Sequence, residues 1–137
     1  MNYFLKTFMA AAFLIVSANA GMAAEITVTG SEAEDVKAMG GETMKLVKAI
    51  LPCLKEQMEQ DSNTDKYKMY NVCICQNNNT EAISAFKALE AIYNKNPKWS
   101  SYSSVKFQEK SGDMTTSSSL DIDELKRMIA SVQSCLK

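Results

Sequence analysis

The sequence contains no histidine, and this absence excludes several common kinds of active site. Ser-His-Asp and Cys-His catalysis both need an imidazole, as do the usual zinc enzymes. Glycine is also scarce: the five glycines form no G-x-G-x-x-G or GK[ST] pattern, so no phosphate-binding loop is predicted. Acidic residues cluster at Glu32/Glu34/Asp35, Glu56/Glu59 and Asp121/Asp123/Glu124. Acid–base catalysis would need one such pair of carboxylates to converge across a cleft. We instead interpret these acidic clusters as solvated helix faces and as charges in the first turns of helices. We therefore expect no catalytic residues and a protein that is not an enzyme.

Basic blocks and long apolar runs are missing as well. Lysine and arginine form no cluster or stripe, so neither nucleic acid nor an anionic membrane is an expected partner. The longest apolar run, residues 8–16, is far shorter than the roughly 20 residues that a membrane span needs. We therefore expect no stable membrane insertion.

The N-terminus resembles an export signal. Lys6 carries its positive charge, residues 8–16 form the apolar run, and residues 18–20 read Ala-Asn-Ala before the cleavage point. The sequence therefore predicts a cleaved signal peptide at residues 1–20, a single helical domain at residues 21–137, and a periplasmic or secreted location. Removing Lys6 leaves 14 basic and 16 acidic residues, a net charge of −2.

Four cysteines accompany this export signal, and disulfides persist in oxidising compartments. Cys73 and Cys75 lie two residues apart, so on a helix they point about 200° apart and each needs its own partner. An antiparallel helix pair with its turn at residue 63 favours Cys53–Cys73 together with Cys75–Cys135. The swap to Cys53–Cys75 and Cys73–Cys135 moves the midpoint by one residue and stays open.

The Cys73-Ile74-Cys75 pair also permits two functional interpretations, a redox-active dithiol and a copper(I) site. Against these, the C-x-x-C signature beside a βαβ pattern is absent, no histidine completes a mixed site, and the methionines form no M-x-M or M-x-x-M cluster. Structural bridges are the favoured interpretation, and no metal site or cofactor is expected.

Apolar periodicity predicts a mainly α fold, a small disulfide-stapled bundle of about four helices. After an interruption at Gly40-Gly41, the first main helix is expected over residues 42–60, with Pro52 inside it. Three further helices are expected: a central, most buried one that Thr64 or Asp65 caps and that reaches Gln76, one that starts at Thr80, and one that begins at a capping box of Asp121 and Glu124 and runs to the C-terminus. The expected inner face of the first helix consists of Met44, Val47, Ile50, Leu51, Leu54 and Met58.

Two short segments have a β pattern. Residues 25–30 alternate like a strand or form an extended arm. Residues 105–109 alternate, residues 110–113 form a turn signal and residues 114–118 are rich in threonine and serine; together they predict a small β-hairpin within residues 104–118, with a mobile surface loop as the alternative.

Three aromatic residues, Trp99, Tyr102 and Phe107, form the predicted partner-binding segment, because such side chains dominate binding hot spots. The alternative is that Trp99 packs down as a lid on the bundle. The outline of a small exported helical domain with two disulfides and no catalytic residues is similar to periplasmic immunity proteins that neutralise wall-degrading toxins, a likeness of architecture only.

The leading hypothesis is an exported non-enzymatic binding protein for another extracytoplasmic protein, such as an inhibitor or immunity protein. The alternatives are a carrier of a small ligand or lipid, and a copper(I) or thiol-redox protein that uses the Cys-x-Cys pair. A roomy apolar cavity would favour the carrier. A flat exposed patch at Trp99 and Tyr102 would favour protein binding.

Overall fold

A computed structural model describes residues 24–137, and the expected signal peptide lies outside this part of the chain. The described part confirms a mainly α fold with a β-hairpin and two disulfides. Its α-helices are α1 (Gly30–Gln60), α2 (Lys66–Tyr70), α3 (Thr80–Lys95), α4 (Ile122–Ser131) and α5 (Gln133–Leu136). A π-helical turn (Asn71–Gln76) continues α2, and a 3-10 turn (Pro97–Ser101) follows α3. The strands are β1 (Glu25–Thr27), β2 (Ser104–Ser111) and β3 (Met114–Asp121).

Side-chain caps fix the starts of three helices. Asp65 accepts hydrogen bonds from the first backbone N–H groups of α2, and the Asp121 carboxylate accepts one from the N–H of Glu124 at 2.8 Å. Both caps agree with the prediction. The third helix is capped by Asn79, which accepts from the N–H of Ala82. Each cap satisfies a backbone donor that the helix itself leaves without a partner.

Helix α1 is longer than predicted, because Gly40 and Gly41 do not interrupt it. Neither glycine has a positive φ angle, so both stay in the ordinary helical region. Glycine lowers helix propensity by about 1 kcal/mol relative to alanine. Val36 and Met39 are buried on the N-terminal side of the glycines, and their packing offsets that loss. Pro52 lies inside the helix, as the sequence indicates.

The face that α1 turns inward also differs from the prediction. Its buried residues are Val36, Met39, Leu46 and Ile50, of which only Ile50 belongs to the expected face. The N-terminal half of α1 sets this orientation, because Val36 and Met39 anchor it against the rest of the core. Most residues of the expected face are therefore exposed to solvent.

The hydrophobic core joins α1, α3, the hairpin and the C-terminal helices. Among the segments that follow α1, helix α3 contributes the most buried side chains to the core. The segment expected to be the central, most buried helix buries only Cys73 and Ile74. The side chains that are almost completely buried are Trp99, Phe86, Met39, Leu46, Ile50, Ile74, Leu89, Ile122, Val105, Val132 and Cys73.

The three strands form one small sheet in the order β1-β2-β3. Strand β1 runs parallel to β2, with Ile26 opposite Val105, and β2 runs antiparallel to β3 over its full length. Gly112 occupies the first loop position with a φ of +61°, the conformation that favours glycine in a tight hairpin turn. The predicted hairpin is therefore confirmed, and only its base, at Val105 and Phe107, enters the core.

Two disulfides leave the same π-helical turn in different directions. Cys53 of α1 is bonded to Cys73, and Cys75 is bonded to Cys135 of α5, with Cα–Cα distances of 5.7 and 5.3 Å. Both distances fall in the usual range for a disulfide. This is the favoured pairing of the two that the sequence left open.

The C-terminal helix is divided, although the sequence predicts one continuous helix. The break lies at Val132, whose φ of −117° and ψ of 10° are not helical. Val132 is completely buried, and its carbonyl oxygen lies 3.5 Å from Cys75 Sγ. The short helix α5 can therefore take the direction that its bridge at Cys135 requires.

Removing the two disulfides separately should show that they contribute unequally to the free energy of unfolding. Replacing Cys53 and Cys73 by alanine opens a loop of 20 residues, and replacing Cys75 and Cys135 opens one of 60. The loop-closure model predicts losses in the free energy of unfolding of about 3 and about 4 kcal/mol, respectively. Urea unfolding followed by the fluorescence of the single tryptophan measures both values. A negligible loss for the longer loop would contradict a structural role for that bridge.

Candidate functional site

The predicted aromatic segment is mostly inside the protein. Trp99 is completely buried, and its indole N–H donates a 3.1 Å hydrogen bond to Glu32 of α1. Phe107 is buried on β2, and Tyr102 is half-buried. This corrects the expectation of a contact surface for Trp99 and Phe107, because a side chain in the core has no area left for a partner; for Tyr102, which keeps part of its surface, it stays a prediction. Trp99 is instead packed down on the bundle, as the alternative described.

Glu32 is the residue that holds this lid in place. Lys98 Nζ lies 2.6 Å from one carboxylate oxygen of Glu32, and the other oxygen accepts the hydrogen bond from Trp99. These two donors, chiefly Lys98, lower the pKa of Glu32 from its ordinary value because they stabilise the charged form. Sequence reasoning placed Glu32 only in a solvated acidic cluster.

Two further members of the acidic clusters also bind partners inside the chain. Hydrogen bonds, first from Asn96, lower the pKa of Asp35. Lys66 Nζ at 2.9 Å and the Tyr67 hydroxyl at 2.7 Å lower the pKa of Glu124. A general acid that acts near neutral pH needs the opposite shift. These carboxylates therefore have the properties of structural anchors.

The four cysteines are all bonded in disulfides, so the oxidised protein offers no thiolate at Cys73 or Cys75. A copper(I) site or a redox dithiol would first require reduction of these bridges. Within residues 24–137, no group of three or more Cys, Asp or Glu side chains is arranged to hold a metal ion.

An exposed apolar row on α1 is the most conspicuous feature of the surface. We call it the apolar stripe; it consists of Met44, Val47, Leu51 and Met58, whose exposed fractions are 57%, 41%, 42% and 58%. Their spacings of three, four and seven residues place them on one side of the helix, in the a/d pattern of a coiled coil. In the described part, the one other large exposed apolar side chain is Met114, at the hairpin tip. The large exposed apolar side chains of the described part are therefore concentrated on one side of α1.

Lysines border the apolar stripe on one side. Lys48 and Lys55 follow Met44 and Leu51 by four residues, and both are exposed. Neither forms a salt bridge with any residue from 24 to 137. Glu59 lies on the same side only at the C-terminal end of the helix. The border of the stripe is thus mainly positive, and its two lysines form no salt bridge in the described part of the chain.

A cleft of about 510 Å³ lies next to the N-terminal half of α1, between that helix, the base of the hairpin and α4. Its apolar lining consists of Val36, Leu89, Phe107, Leu120, Leu125 and Met128. Gly40 forms part of its wall and lies four residues before Met44, on the same side of α1. The cleft therefore adjoins the end of the apolar stripe. Sequence reasoning missed it, because its lining comes from five separate elements, α1, α3, β2, β3 and α4.

Comparison with protein-family models, with curated proteins and with solved structures finds no match to this chain. None of the helices within residues 24–137 has the length and hydrophobicity of a membrane span.

Acid titration should report the contact between Glu32 and Trp99. Because the folded-state pKa of Glu32 is lowered, its contribution to stability is present above the ordinary value of 4.5 and is lost as the pH falls through the lower folded value. We expect the emission of Trp99 to change with a midpoint below pH 4.5. In Glu32→Gln this transition should disappear, whereas Glu34→Gln on the same turn should retain it. Identical midpoints in the wild type and Glu32→Gln would contradict the assignment.

Proposed function

We propose that this protein is an exported, non-enzymatic binding protein whose partner is another extracytoplasmic protein. The observation that carries the proposal is the apolar stripe. Exposing four large apolar side chains in one row is unfavourable in water unless another surface covers them. The two disulfides, and the absence of a membrane-spanning helix from the described part, are compatible with an extracytoplasmic protein.

The shape of the stripe favours a helix as the element that covers it. Residues in the a/d pattern form a seam along α1, into which the side chains of a second helix can pack. A helix laid into a groove in this way is a recurrent mode of recognition. The partner therefore presents an amphipathic helix in this proposal.

The charge beside the stripe specifies that helix further. Lys48 and Lys55 lack salt-bridge partners within the described chain, so acidic side chains that flank the partner's apolar seam would complement them. A second copy of this chain fits less well, because in an antiparallel pair the two lysine borders would face each other. We therefore infer an acidic amphipathic helix on a different protein.

The disulfide at Cys53 suits α1 to this role. It lies between Leu51 and Met58 and ties the helix to the π-helical turn, so the stripe is presented on a fixed support. Rigid presentation improves affinity because less conformational freedom is lost on binding. An inhibitor or immunity protein would act in this way, by covering a functional surface of its target.

Site-specific photo-crosslinking in the producing cells tests the proposal. A benzoylphenylalanine residue replaces Leu51 in one variant and Glu56 in another; both positions are exposed on α1, but only position 51 belongs to the stripe. We expect a crosslinked protein at position 51 alone, attached through a helix with acidic borders. Leu51→Glu should then weaken its binding about 30-fold or more, because a charge would be buried at the centre of the interface.

Charge reversal distinguishes the acidic helix from other partners. Lys48→Glu with Lys55→Glu should weaken binding and reduce its dependence on salt, since the complementary charges would be lost. Crosslinking to a second copy of the chain, to lipid, or equally from positions 51 and 56 would overturn the proposal.

A further inference from the structure

We propose that the cleft beside Gly40 is a binding site for a small uncharged molecule with an apolar body, a function separate from protein binding by the apolar stripe. Its volume of about 510 Å³ falls within the range of about 300–1,000 Å³ that is typical of ligand pockets. The six apolar side chains of its lining, which include an aromatic ring and a methionine, would contact such a body on several sides.

The charges at the rim explain why the ligand should be neutral. Lys37 forms salt bridges with Glu34 and Glu109, so its ammonium group is already paired. The Asp121 carboxylate accepts the capping hydrogen bond from α4.

The third charged rim residue is Glu124, whose carboxylate is bound by Lys66 and Tyr67. Every charged group on the rim therefore has a partner in the chain. An anionic ligand would lose hydration without gaining an unpaired positive charge, because Lys37 is already paired, whereas a neutral ligand avoids this loss.

Neutral polar groups at the rim suit an uncharged ligand that carries a hydroxyl or carbonyl group. Thr43 of α1 and Ser118 and Ser119 of β3 line the cleft, and their hydroxyls can both donate and accept hydrogen bonds. A few such groups around an apolar floor are the usual means of orienting a small ligand. The inferred class is therefore an apolar molecule with one or two neutral polar groups.

Gly40 provides a direct way to close the cleft. A Cβ atom built on Gly40 meets no neighbouring atom outside its own helix backbone within 4 Å, so there is room at this wall of the cleft for the start of a larger side chain, and we expect a leucine there to reduce the space for a ligand. Gly41 is an equally open helical position, and it does not line the cleft. Both substitutions raise helix propensity, so neither should impair folding. Gly41→Leu is thus the matched control for Gly40→Leu.

The test uses two fluorescent probes that differ by one charge: uncharged N-phenyl-1-naphthylamine and its sulfonate, 8-anilinonaphthalene-1-sulfonate. We expect saturable binding of the uncharged probe at one site and binding of the sulfonate that is about tenfold weaker or more. Gly40→Leu should weaken binding of the uncharged probe about tenfold or more, and Gly41→Leu should change it by less than about twofold.

Amide chemical shifts locate the bound probe independently of affinity. Binding in the cleft should shift the signals of Gly40, Leu120 and Leu125 while leaving those of Leu51 and Met58 unchanged. Shifts confined to the apolar stripe, equal affinities of the two glycine variants, or no saturable binding by the wild type would each overturn the proposal. None of these results depends on whether the stripe binds a protein.

Discussion

Two covalent bonds from neighbouring positions constrain the whole arrangement. Cys73 and Cys75 point in different directions from one π-helical turn, so Cys73 fixes α1 and Cys75 fixes the C-terminal helix α5. Segments at both ends of the described chain are thereby held against its middle. The bridges restrict the unfolded chain, and each is worth several kcal/mol beside a typical total stability of about 5–15 kcal/mol.

This constraint also determines what the surface displays. Helix α1 cannot rotate to bury the apolar stripe while Cys53 is bonded to Cys73 and Glu32 and Asp35 hold the segment after α3. The same helix supplies Gly40 to the wall of the cleft. The stripe and one wall of the cleft thus belong to the same helix, so the two proposed functions use surfaces whose positions do not change independently.

Local patterns predicted those features that depend on neighbouring residues. The hairpin, the cap at Asp121 and the disulfide pairing follow from turn chemistry, capping and helix geometry. The orientation of α1 does not, because its sequence contains two apolar rows: Val36, Met39, Leu46 and Ile50, and the apolar stripe. Only packing against distant segments selects between them. The burial of Trp99 likewise depends on Glu32, which lies 67 residues earlier in the sequence.

The arrangement of the disulfides is the most direct test of this account. Cys73 and Cys75 share a peptide, so the oxidised protein should be digested without reductant and fragmented between these residues in the mass spectrometer. We predict the loss of four hydrogens relative to the reduced chain, with Cys73 linked to Cys53 and Cys75 linked to Cys135. Free thiols at Cys73 and Cys75 would contradict the fixed presentation of α1 on which both proposed sites depend, and the swapped linkages would contradict the assigned pairing.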